Sequence, residues 1–203
     1  MALIAAIIGI LALAAIANRM LRGIVSYWVY FCLLMPGIIT HELSHVVGAI
    51  VTGADVFDIK LISKSGGEVR HGPPRLPFVG QFIISFAPLL IEGALSYAII
   101  WHLFLSSGTS IWSAVGSWGL GDWLLLYALI SLMLTFTPSK QDLRSGIWSL
   151  LFVVPILLFL IYNPSINIQP ALLPAVLWLN VALVVFIAIL TPFKLIATMR
   201  ARH

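Results

Sequence analysis

Charge is scarce in this sequence. Lys, Arg, Asp and Glu make up only 9% of its 203 residues, 61% are hydrophobic, and the mean hydropathy is +1.09. A soluble domain of this size has no use for so apolar a composition, which points to an integral membrane protein. Cysteine is nearly absent too: Cys32 stands alone, and one thiol excludes an internal disulfide. The net charge of +4 is small and scattered, which argues against a nucleic-acid partner and leaves the basic residues as topology markers. No internal repeat and no appended soluble stretch is visible, so residues 1–203 read as a single membrane domain with the lipid bilayer as its surroundings.

Apolar runs at 2–17, 24–51, 76–105, 120–136, 147–162 and 171–193 predict an all-α polytopic protein with about six transmembrane helices. No Lys or Arg precedes the first run, which argues for a span rather than a signal peptide cut after Ala15-Ile16-Ala17. Asn18 to Arg22 reads as a polar turn, and Ser106 to Gly119 as an uncharged loop whose Trp112 and Trp118 suit the membrane interface. Between the second and third runs the pattern changes. Val56, Ile59 and Leu61 alternate with Asp58 and Lys60, Ser65-Gly66-Gly67 supplies turn chemistry, and Glu68 to His71 can return, so 54–75 predicts a small β-hairpin at the membrane face.

With six spans and a cytoplasmic N-terminus, Lys60, Lys64, Arg70, Arg75, Lys140, Arg144, Lys194, Arg200 and Arg202 all fall on the cytoplasmic side. Only Arg19 and Arg22 fall outside. Both termini are then expected in the cytoplasm.

The second run contains the one dense cluster of ionisable groups, His41-Glu42-Leu43-Ser44-His45. On a helix, His41 and His45 project from one face a turn apart and can meet one metal ion, while Glu42 on the neighbouring side can take a proton from a water. Each such group at membrane depth costs roughly 2.5–3.5 kcal/mol, so three within five residues imply a function. Pro36 and Gly37 lie just before the motif, where a missing backbone donor can kink the helix or expose carbonyls. A catalytic zinc takes three protein ligands and keeps one position open. Asp142, Glu92, His71 and His102 are the possible third ligands. Asp142 sits at a span boundary on the side of the histidines, after Pro138. Glu92 is buried in a span and can equally serve as a partner behind a ligating histidine.

Over residues 24–146 the chain resembles the site-2 protease family of intramembrane zinc metalloproteases. The resemblance is carried by the His-Glu-Leu-Ser-His motif, the strand-forming segment after it, the Pro88-interrupted third span and an aspartate following a Pro-containing turn. It implies one Zn2+ per chain held by His41, His45 and Asp142, with Glu42 as general base and a transmembrane protein as substrate. The family's Leu-Asp-Gly is here Gln141-Asp142-Leu143 with glycine at Gly146, and its Gly-Pro and asparagine appear as Ala87-Pro88 and Glu92. This describes a divergent, minimal member without a PDZ domain. The free strand edge at Val56, Ile59, Leu61 and Ser63 is the expected place for an unwound substrate to pair. Two other readings stay open: a gluzincin-type membrane peptidase with Glu92 as third ligand, and a non-catalytic transporter or inactive relative.

Overall fold

The computed structural model describes residues 2–61, 67–106, 111–137, 139, 142, 144, 146, 155, 159 and 169–200. It is mostly helical, with one two-stranded antiparallel sheet. In chain order the elements are α1 (Ala2–Arg22), α2 (Tyr27–Thr52), β1 (Val56–Lys60), β2 (Glu68–His71) and α3 (Pro77–Ile100). A π-helical turn (Trp101–Leu105), α4 (Ile111–Gly116), α5 (Leu120–Thr135) and α6 (Gln169–Arg200) follow. α2 lies at the centre, packed on α3 and α5, while α1 packs chiefly on α6.

Glycine and proline set this arrangement. Gly37 faces α5 so closely that a Cβ there would stand 2.5 Å from the Ser131 carbonyl oxygen, and Gly48 meets the Ile84 Cα of α3 at 3.0 Å in the same sense. Two helix backbones can approach this far only where a side chain is missing. Pro36 has no N–H for the Cys32 carbonyl four residues back, and that carbonyl accepts the Tyr127 hydroxyl from α5 instead. α2 ends at Gly53, whose φ of 70° is open to glycine. Its N–H bonds to the Ile50 carbonyl and that of Ala54 to Ala49, and buried Ala54 closes on Ala49 and Ile84. This stop turns the chain directly into the hairpin. There Asp58 pairs with Arg70 and Lys60 with Glu68, opposite charges facing across the ladder.

Among the described residues, Tyr27–Thr52 and Pro77–Leu105 are long and apolar enough to cross a membrane, and Leu120–Thr135 and Leu183–Leu195 are shorter apolar helices. The expected span at 147–162 lies almost wholly outside the described residues. Three expectations are corrected. Asn18 to Arg22 is not a turn but the last turn of α1, because no Gly or Pro interrupts it. The loop expected from Ser106 to Gly119 contains α4. α1 and α6 also run parallel. Asn180 donates to the Ala6 carbonyl at 2.9 Å and abuts Gly9, and Lys194 reaches Gly23. Lys194 therefore lies at the Arg22 end, whereas six alternating spans with both termini on one side would set these two cations on opposite faces. With Lys194 and the Arg200 that follows it on α6 moved to the Arg22 side, the count of nine against two falls to seven against four.

Gly37→Ala should lower the thermal unfolding midpoint in detergent, by about 1–3 kcal/mol of overpacking. Gly121→Ala, where nothing lies within 4 Å of the added Cβ, should leave it unchanged or raise it. Equal midpoints for the two variants would contradict the close α2–α5 approach.

Candidate metal centre

His41 and His45 stand one turn apart on α2 with ring centroids 5.1 Å apart. Their Nε2 atoms turn toward one carboxylate: Asp142 Oδ2 lies 3.6 Å from His41 Nε2, and Asp142 Oδ1 lies 3.2 Å from His45 Nε2. One ligand atom from each of the three residues falls within 4.8 Å of the others, and this group can hold a metal ion. Zinc bonds of about 2.0–2.1 Å in tetrahedral geometry put ligand atoms roughly 3.3 Å apart, close to the two histidine–Asp142 separations, which use different oxygens of that carboxylate.

Each imidazole is also held from behind. His41 Nδ1 lies 3.2 Å from Oε1 of Glu92, which is fully buried in α3. His45 Nδ1 lies 2.8 Å from the Ile84 carbonyl, also in α3. With Nδ1 protonated and donating in both rings, both Nε2 lone pairs point at the Asp142 side, the arrangement that orients metal-ligating histidines. The Ile84 carbonyl is available because Pro88, four residues on, has no N–H to give it. Gly48 then lets α3 come close enough for the contact.

Asp142 is set by its own turn. Its Oδ2 accepts the Ser139 N–H at 2.7 Å and its N–H donates to Ser139 Oγ at 3.1 Å, a reciprocal capping pair at the start of a helical segment. One turn later, Gly146 abuts Ser85 of α3, beside the residue that holds His45. Burial works to raise the Asp142 carboxyl, but in the metal-free site imidazolium rings protonated on both nitrogens donate to it from His41 and His45 and hold it below the usual carboxylate range.

Glu42 is buried on the neighbouring side of α2, and Gly67 closes over it so tightly that a Cβ at that glycine would overlap the Glu42 side chain. The hairpin thus reaches the site at the start of β2. Val56 and Ile59 lie in β1, Leu61 follows it, and Ser63 lies outside the described residues. Glu92 meets the Nδ1 side of His41, away from Asp142, which is the position of a supporting group rather than of a third ligand. Its Oε2 has no hydrogen-bond partner among the described residues, while Thr135 approaches Oε1 at 3.4 Å. His71 bonds the Gly72 carbonyl, and His102 pairs with Asp122 at 3.4 Å; neither joins the cluster. Sequence reasoning missed Ile84, Ser139 and Gly67. Pro88 signalled the first, Ser139-x-x-Asp142 the second and the paired glycines 66 and 67 the third.

Comparisons with protein-family models, curated proteins and solved structures return no match.

Pro88→Ala gives the Ile84 carbonyl a competing backbone donor and should weaken metal binding about 10- to 100-fold, read by competition with a chelator. Glu92→Leu should do the same through His41, and Glu92→Gln less, since it keeps an acceptor. Unchanged affinity in all three would mean that the Nδ1 contacts do not orient the rings.

Proposed function

We propose that this chain is an intramembrane zinc endopeptidase of the site-2 protease type. It would hydrolyse peptide bonds of transmembrane protein substrates near the membrane face that carries the hairpin. The observation that carries the reading is the convergence of one capped aspartate with two back-bonded histidines and a buried glutamate that lie on a helix long and apolar enough to cross a membrane. A transporter has no need of a general base next to a three-ligand site, and Glu92 behind His41 favours Asp142 as the third ligand.

His41, His45 and Asp142 would hold one zinc, with the fourth position left to water or substrate. Zinc there supplies Lewis acidity toward a carbonyl oxygen and a water. Glu42 is placed to take the proton of the attacking water and to hand it to the departing amine nitrogen as the peptide C–N bond breaks. Asp142 and the two imidazoles stay fixed throughout, because each is hydrogen-bonded on the side away from the reaction.

A transmembrane helix hides its peptide groups in its own hydrogen-bond ladder and has to unwind before it can be cut. β1 pairs with β2 on one edge, and Phe57 and Ile59 are exposed along it. Its other edge can take up an extended substrate strand through main-chain hydrogen bonds, with Val56, Ile59 and Leu61 beside it. Gly67, at the start of β2, touches Glu42 and so ties the hairpin to the base. The chain would be multi-pass, with its remaining apolar helices completing the enclosure that keeps bulk water from the site.

Glu42→Gln should retain about one zinc per chain and lose all cleavage of polypeptide substrates, read by metal analysis beside mass-spectrometric detection of products. Cleavage by the zinc-loaded variant would sink the assignment of the base.

A further inference from the structure

A cavity of about 560 Å³ runs along α2 from the metal centre. His41 and Glu42 line one end; Arg22, Tyr30 and Asn18 line the other. Tyr30, Leu34, Ile38 and His41 recur at three- and four-residue intervals, so a single face of α2 forms the wall throughout. The distal end is built rather than loose. Arg22 Nε and Nη2 donate to the Tyr30 hydroxyl at 3.2 and 3.0 Å, that hydroxyl donates to Asn18 Oδ1, and Asn18 Nδ2 donates to the Leu134 carbonyl at 2.9 Å. Arg22 is exposed at the end of α1, and the relay fixes its guanidinium at the cavity mouth.

A second cation approaches the next residue, Gly23, outside the residues that line the cavity. Lys194 of α6 brings Nζ within 2.0 Å of where a Cβ on Gly23 would be, and glycine alone leaves it room. No acidic side chain among the described residues pairs with Arg22 or Lys194. A planar guanidinium fixed at the end of a cavity, with no acidic partner among the described residues and a second cation at the adjoining Gly23, selects a carboxylate.

We propose that Arg22, with Lys194 beside it, docks a carboxylate of the polypeptide substrate at the far end of this cavity. The proposal rests on the peptidase reading, which supplies the polypeptide. From Tyr30 to His41 is about 16 Å along the helix axis, and an extended chain covers that with about five residues, so the carboxylate sits about five residues from the bond cut. An acidic side chain or the C-terminal carboxylate of a substrate meets this chemistry equally.

The test uses Glu42→Gln protein, zinc-loaded and in phosphatidylcholine nanodiscs, so that binding is read without cleavage. The probes are fluorescent apolar peptides with blocked termini, identical save for one Glu or Gln, and a third with Gln and a free C-terminus. The Glu peptide, the free-terminus peptide or both should bind about threefold to tenfold more tightly than the blocked Gln peptide. That preference should vanish in Arg22→Gln, persist in part in Arg22→Lys, and weaken in Lys194→Gln, all with zinc content unchanged. Equal binding of the three peptides, or a preference that survives Arg22→Gln, overturns the proposal. A preference abolished by adding phosphatidylglycerol assigns the cations to a lipid headgroup and also overturns it. The peptidase reading is tested separately with wild-type protein: a carboxylate preference without cleavage sinks that reading alone, and cleavage without the preference sinks only the carboxylate site.

Discussion

Two imidazoles on neighbouring turns of a helix can point in many directions, and the chemistry of this chain depends on removing that freedom. Glu92 and the Ile84 carbonyl do so from α3, each taking one Nδ1, so that both Nε2 atoms face Asp142. In an apolar surrounding these contacts have no water to compete with them, and the groups that make them are costly to bury for any other purpose. The position of α3 against α2 is therefore as much a part of the site as the three ligands.

That position comes from residues which contribute little or no side chain. Gly48 and Gly37 admit α3 and α5 to within backbone distance of α2. Pro36 and Pro88 each withhold an N–H from a carbonyl one turn back, and in both places a neighbouring helix makes use of what is freed. Tyr127 donates to Cys32 and His45 to Ile84. The first ties α5 to α2 and the second orients a ligand. Proline inside a long apolar helix is tolerated where a partner satisfies the released carbonyl, and here one of those partners belongs to the candidate metal-binding cluster.

How much of this was legible in the sequence follows from what each feature depends on. His41, Glu42 and His45 were legible because helix periodicity alone puts the two histidines on one face. The hairpin was legible from its alternation and glycines. Asp142 was legible only as a carboxylate after a proline turn, and Glu92 only as a buried acid with two possible roles; what separates them is which nitrogen of His41 each one meets. The Ile84 carbonyl was not legible, because a backbone atom carries no letter, although Pro88 marked its place. The parallel course of α1 and α6 depends on contacts between residues such as Ala6 and Asn180, far apart in the chain, and counting charges per crossing does not capture it.

The most direct measurement is zinc content and affinity of the folded, detergent-purified protein beside its Asp142→Ala variant. The arrangement of His41, His45 and Asp142 predicts about one zinc per chain in the wild type, lost or greatly weakened in the variant. Zinc held as tightly by the variant, or none bound by the folded wild type, would contradict it.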